Sequence, residues 1–243
     1  MQRIHASPPP YQLADHVRAC RVDEQVLLLD MRRNKYLGFA GSQLDALGQV
    51  IVDWPCPAAH GNALTLSPAT TERLQPLLDQ RLLSQARMPR RTGPLLPEVL
   101  DCVDPYADLA RPPAAVREVL CLAWAAAGAA FWLRRLSLAD IASRVARLRP
   151  HSRSTDDGAS TAALRDAVSA YMRLRPFLFT AHDKCLHDSL TLIRFLARRG
   201  MFPAWVIGVR TRPFAAHSWV QSDGLVLNDV HEHVRTYTPI LVV

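Results

Sequence analysis

The chain has 243 residues, 49% of them hydrophobic and 21% charged, with a formal net charge of +7. That length buries a core in one or two domains, and the composition argues against disorder or low complexity. Five cysteines (Cys20, Cys56, Cys102, Cys121 and Cys185), odd in number and scattered without a C-x-x-C pair, argue against a disulfide framework or a zinc knuckle and for a reducing cytoplasm.

The first residues, Met1 to Pro8, lack the apolar run of a signal peptide. Val17–Val22 and Gln25–Asp30 read as a β-hairpin about Asp23-Glu24, and Tyr36–Phe39 as a third short strand after a turn at Arg32–Lys35. Ser42-x-x-Asp45 resembles a capping box, with Asp in place of Glu, ahead of the helical pattern Leu44, Leu47, Ile51. A second helix is expected to start at Ser67-Pro68 and run to Leu83, broken or kinked at Pro76. Residues 1–84 thus read as a small α+β module. Residues 85–113, with six prolines and little periodicity, read as a linker, with Leu95–Leu100 as the part able to dock.

Helices are expected over Val116–Arg135, Ser137–Leu148 and Thr161–Leu174, then from Cys185 to a closing Gly200. The apolar window Val119–Leu133 is about fifteen residues, short of a bilayer span, so a buried helix is expected and no transmembrane segment. The period then becomes that of strands: Ala204–Val209, Ala216–Gln221 and Leu225–Asp229, with a hairpin turn at Ser222-Asp223-Gly224. Residues 114–243 therefore read as helices packed on an antiparallel sheet, and the fold class is α+β. Charge follows the same division: residues 1–113 carry twelve basic and twelve acidic groups, leaving seventeen and ten of the total 29 and 22 for residues 114–243.

Cys185 is expected at a helix N-terminus, where the helix dipole favours a thiolate, with Thr180 or Asp183 as candidate caps. His217 falls in mid-strand, and antiparallel pairing across the turn at Asp223-Gly224 brings Asp229 to it. A histidine between a thiol and a carboxylate takes the thiol proton, while the carboxylate fixes its tautomer. Cysteine on a helix, histidine on a strand and aspartate on the next strand make the candidate catalytic triad Cys185, His217 and Asp229.

Asp183-x-Cys185-Leu186, Pro203-Ala-Trp-Val-Ile-Gly-Val209, His217-x-Trp219-Val220, Gly224 and Asp229 resemble the transglutaminase-like leader peptidases of lasso-peptide biosynthesis, the B proteins. The similarity covers roughly residues 114–243, and residues 11–84 resemble the family's winged-helix-like peptide-recognition part, so the whole chain resembles the fused form. The resemblance implies a transglutaminase/papain-like domain with Cys185, His217 and Asp229 as its catalytic residues. It also implies a cytoplasmic cysteine peptidase that cuts leader from core in a ribosomal precursor. A separate ATP-dependent, asparagine-synthetase-like cyclase would then close the lasso ring. No cofactor and no metal are implied. The family often has alanine and glutamate around the tryptophan where this chain has Ser218 and Gln221, which puts substrate contacts near that strand in question.

For the leader, Tyr36, Leu37, Gly38 and Phe39 offer an edge strand for β-augmentation, Leu74, Leu77 and Leu78 a groove lining, and Arg32, Arg33, Lys35, Arg73 and Arg81 charge complementarity. The competing reading makes the leucines core and the charges a solvated face.

Four other functions compete. DNA binding needs a basic contact face, and residues 1–84 carry eight basic and eight acidic groups, so no nucleic-acid partner is expected. A metal site would use His182, Cys185 and His187, or His231 and His233 on one strand face. A transglutaminase-type acyltransferase would pass the same acyl group to an amine. A non-catalytic scaffold would only present leader, which an intact triad argues against.

Overall fold

The strands Val17–Val22 (β2), Gln25–Asp30 (β3) and Lys35–Ala40 (β4) build an antiparallel meander in the order β2-β3-β4, with the continuous apolar run Val26–Leu29 of the central strand buried. The computed structural model describes residues 11–56, 68–85, 96–103, 115–149, 161–177 and 184–243, and divides into two units, Met1–Gly93 and Pro94–Val243. In the first unit Tyr11–Leu13 (β1) pairs antiparallel with Leu83–Gln85 (β5). Ser42–Gly48 (α1) and Pro68–Asp79 (α2) close one core with the strands around Val17, Val26, Leu28, Leu47, Ile51, Leu74, Leu77 and Leu82. The β2–β3 turn falls on Asp23-Glu24, as read from the sequence, with Asp23 left-handed at φ 51°.

Two local readings change. The N-cap of α1 is Gly41, at φ 59°, with no side-chain cap hydrogen bond, so Ser42 and Asp45 form no capping box. Helix α2 passes through Pro76 and ends at Asp79. Arg81 turns left-handed at φ 57°, and Leu83 enters β5 instead of extending the helix. A proline inside a helix removes one donor, and α2 tolerates it with Pro76 exposed to solvent.

The second unit opens earlier than its periodicity shows. Asp101–Cys102 (β6) pairs parallel with Leu225–Val226 (β9). The Gln221 side-chain amide donates to Pro97 O at 2.7 Å, and Leu96 and Val99 pack against the cluster of Val206, Trp219, Val226 and Val234. Residues 96–103 are therefore part of the second unit and not of a linker. A two-residue strand among prolines carries no readable period, which is why the sequence alone reads there as linker. The remainder of the 85–113 stretch, apart from Gln85, lies outside the described residues.

Val116–Arg135 (α3), Leu138–Ala146 (α4, capped by Ser137), Thr161–Leu174 (α5) and Cys185–Ala197 (α6) follow, and Gly200 at φ 73° ends the α6 segment. Ala204–Thr211 (β7) and Phe214–Ser222 (β8) form a hairpin. The sheet order is β10-β7-β8-β9-β6, with β10 spanning Thr238–Val242. Because β6 joins in parallel, the sheet is mixed and not wholly antiparallel. Helix α6 packs on β8, which places its first residue beside that strand. Strand β10 and the single turn His231–Val234 (α7) are additions to the elements expected from the sequence.

The expectation of a buried apolar helix holds for one face of α3. Leu122, Ala125, Ala129 and Trp132 are buried, whereas Val116, Leu120, Trp124 and Phe131 are exposed. By length and composition alone α3 could also cross a membrane. Against a span stands Arg194 of α6, laid on the middle of this helix. Its guanidinium stacks between Trp124 and Trp132 at 4.4 and 4.3 Å, and its Nε donates to Ala125 O. Gly128 makes the room, since a Cβ there would lie 2.0 Å from the guanidinium.

Candidate active site

Cys185 is the first residue of α6, and β8 runs past it. Three donors meet the Cys185 sulfur: the His217 ring and the backbone N–H groups of Ser218 and Leu186. His217 Nε2 faces Asp229 Oδ2 at 2.5 Å, which leaves Nδ1 for the thiol. The structure thus brings together all three residues of the sequence-derived triad. The caps expected at Thr180 or Asp183 lie outside the described residues. The observed N-cap is Lys184, without a side-chain cap bond.

The electrostatics are those of an ion pair. Burial pushes the Cys185 thiol up, but the hydrogen bond and charge of His217, with the two backbone N–H groups, outweigh it and the net shift is downward. For His217, burial favours the neutral ring. The bonds to Asp229 and Cys185 overcome that and raise it to about 9. Asp229 is held below its ordinary value. Burial opposes its charge, and the donors His217, Val230 N–H and His233 prevail. Asp229 therefore stays ionised and the proton rests on the imidazole.

The signs define a pH window. The lowered Cys185 pKa contributes stability that is lost as pH falls through it. The raised His217 pKa contributes stability that is complete below the ordinary 6.5 and lost as pH rises through about 9. Between them the thiolate–imidazolium pair persists. Site-resolved alkylation by iodoacetamide at neutral pH should therefore label Cys185 well ahead of Cys20, whose burial pushes it up to about 12. Equal labelling of the two would remove the ion pair.

Around the triad lie residues that the sequence reading does not single out. Gly208 pairs with His217 across the β7–β8 hairpin, and a Cβ there would sit 2.7 Å from the Trp219 ring and 2.8 Å from Tyr237 Cβ. Its absence lets Trp219 and Tyr237 flank His217, at ring separations of 6.2 and 5.3 Å. Behind them Asp188, one turn after Cys185 and 2% exposed, accepts from Tyr171 Oη at 2.6 Å, from Asn228 Nδ2 at 2.9 Å and from Arg175 Nε at 3.0 Å. Asn228 in turn accepts the Val220 N–H at 2.8 Å. This network ties helix α6 to the loop that carries Asp229. Its sequence signal is an aspartate at i+3 from Cys185 and an asparagine next to Asp229.

Ser218 and Gln221 prove internal. Ser218 accepts from Trp205 Nε1 at 2.9 Å, and Gln221 accepts from Trp219 Nε1 at 3.1 Å, so both side chains are tied into the packing of the sheet. Two of the histidines named for the metal rivals lie beside other atoms. His187 Nε2 lies 3.1 Å from Ala126 O, His231 lies 3.4 Å from the Cys102 sulfur, and His182 lies outside the described residues. His231 and His233 sit on the helical turn α7, not on one strand face. Donor atoms of His217, Asp229 and His233 do lie within 4.8 Å of one another, but the Asp229 carboxylate already accepts from both rings.

In the first unit, Tyr36, Leu37, Gly38 and Phe39 lie on β4, one of the two edge strands of the meander. Leu37 and Phe39 turn toward the core, Phe39 meeting Trp54 edge-on at 5.6 Å. Leu74 and Leu77 are 2% and 3% exposed, so they are core and line no groove, and Leu78 is partly buried against them. Arg33 is engaged with Asp30 and with Gln80 O, Arg32, Lys35 and Arg81 are exposed, and the Arg73 side chain lies outside the described residues.

The family comparison bears on the second unit. Residues 123–242 match the family model described as the transglutaminase-like superfamily, a stretch that begins within α3 and includes the whole triad. The second unit thus carries a transglutaminase-like domain. A segment of 45 residues is 51% identical to the microcin J25-processing protein McjB of Escherichia coli, covering 18% of this chain and 22% of that protein. No solved structure matches the chain significantly.

Proposed function

We propose that this protein is a cysteine peptidase that recognises a ribosomal precursor peptide and removes its leader during lasso-peptide biosynthesis. The observation that carries the reading is the hydrogen-bonded relay Asp229–His217–Cys185 at the start of α6. The transglutaminase-like match and the local similarity to a microcin-processing protein support it.

The Cys185 thiolate attacks the scissile carbonyl and forms the C–S bond. His217 gives its proton to the leaving amine as the C–N bond breaks. Water, deprotonated by His217, then resolves the thioester and frees the thiol. As the first residue of α6, Cys185 offers its backbone N–H, at the positive end of the helix, to the developing oxyanion.

In this reading residues 1–84 hold the leader, residues 114–243 perform the chemistry, and the two together make the fused form. The edge position of β4 supports strand addition along Tyr36–Phe39. Docking raises the local concentration of the scissile bond. The freed amine is the natural substrate of an ATP-dependent, asparagine-synthetase-like cyclase, and the free thiols suit a cytoplasmic setting.

The test is mass spectrometry of the precursor peptide after incubation with this protein, with and without the cyclase and ATP. Leader and core fragments summing to the precursor plus one water are expected. An intact precursor under both conditions overturns the proposal, and an acyl fragment joined to an added amine would mark an acyltransferase instead.

A further inference from the structure

Two imidazoles share Asp229, and the chemistry above uses one of them. His233 Nδ1 lies 3.0 Å from Asp229 Oδ2, the oxygen that also faces His217 Nε2, while Oδ1 accepts the Val230 N–H at 2.7 Å. An ionised carboxylate is an acceptor only, so both ring nitrogens that face it carry hydrogen. Three donors thus converge on one carboxylate. Two of them come from the chain immediately after Asp229, Val230 N–H and the i+4 side chain of α7.

We propose that His233 is a positioning residue: its Nδ1–H fixes the Asp229 carboxylate so that Oδ2 stays on His217 Nε2. The kinetic part rests on the peptidase reading, whereas the positioning itself does not.

Helix α7 is anchored to hold this ring in place. Val234 is 1% exposed, and Thr236 Oγ1 donates to His233 O at 2.7 Å. The ring lies 4.7 Å from that of His217 and meets Tyr237 edge-on at 5.4 Å. With 46% of its side chain exposed, it covers the solvent side of the His217–Asp229 bond. Without the His233 donor, Oδ2 keeps one partner, and the carboxylate is free to rotate about its Cβ–Cγ bond toward water. A rotated carboxylate no longer dictates the His217 tautomer.

Donor and ring separate cleanly by substitution. His233→Asn places an amide N–H where Nδ1 stood and removes the ring. His233→Phe keeps a ring against His217 and Tyr237 and removes the donor. His233→Ala removes both. For Phe and Ala, kcat for precursor cleavage should fall about ten- to a hundredfold with KM little changed, and Asn should restore most of it.

A substrate-free readout runs alongside. The His217 Nε2–H proton, assigned by its loss in His217→Ala, should give a far-downfield resonance in the wild type and in His233→Asn. In His233→Phe and His233→Ala it should be lost to solvent exchange. A Phe variant that keeps both kcat and the resonance overturns the proposal, as does an Asn variant as impaired as Phe. If the wild type cleaves no precursor, the peptidase reading fails, and the resonance alone decides the role of His233.

Discussion

Replacing Cys185 with alanine should lower peptide-bond cleavage by on the order of 10⁴- to 10⁶-fold while leaving the fold and peptide binding intact. The change removes one sulfur from a half-buried position at the start of α6, where Leu190, Leu192, Phe195 and Leu196 further along hold the helix in the core. Stability should therefore change little, and the loss reports on chemistry. The matching control is Cys102→Ala. Among the described residues Cys102 also has an imidazole beside it, with His231 Nδ1 at 3.4 Å and His231 Nε2 3.2 Å from Glu232 Oε1. That arrangement copies the triad on paper. It differs in that His231 and its carboxylate are sequence neighbours on one helical turn, and in that Cys102 sits on a strand and not at the start of a helix. Steady-state cleavage by the two variants decides between them. Activity kept in Cys185→Ala and lost in Cys102→Ala would move the nucleophile to the second pair.

The juxtaposition of Cys185, His217 and Asp229 was legible because Cys185 and His217 sit where period and punctuation are strongest, although the expected strand Leu225–Asp229 ends at Val226 and Asp229 lies beyond it. Cys185 precedes the spacing Leu186, Leu190, Ile193, and the alternating run through His217 is followed by a turn at Asp223-Gly224, where both residues take positive φ in the structure. That turn sets the register Ser222↔Leu225 and Gln221↔Val226. The chain beyond, anchored by Asn228 to Val220, then returns Asp229 to His217. Register is a consequence of turn geometry, so a correctly read turn yields a contact between residues twelve apart.

Elements whose reason lies outside their own residues were not legible. Strand β6 is two residues long and exists because Gly224 O accepts the Leu100 N–H and Gln221 clamps Pro97. Helix α7 exists because its side chains serve Asp229 and the core through Val234. Leu74 and Leu77, read as groove lining, keep the helical spacing of an amphipathic face, and spacing alone does not tell a core face from a docking face. The capping box at Ser42 lost to Gly41, whose positive φ already turns the chain into the helix.

Asp229→Asn should reduce kcat by about 10³- to 10⁴-fold with little effect on peptide affinity, because it sets two hydrogen-bond demands against each other. In the native site Oδ1 accepts the Val230 N–H and Oδ2 accepts from His217 and His233. An asparagine has one acceptor oxygen. If that oxygen stays on Val230, the amide N–H₂ faces two ring N–H groups, and His217 must move its proton to Nδ1, where it confronts the Cys185 thiol and cannot accept from it. If the amide flips, the oxygen satisfies His217 and the N–H₂ meets the Val230 N–H instead, donor against donor. Either arrangement also deletes the negative charge that holds His217 at about 9. The imidazolium then loses its proton nearer the ordinary 6.5, so the basic limb of kcat/KM moves to lower pH and Cys185 loses its alkylation advantage at neutral pH. A pH profile of cleavage and of alkylation, taken on the same variant, reads both effects. An Asp229→Asn enzyme within tenfold of wild type and with an unmoved basic limb would remove Asp229 from the mechanism.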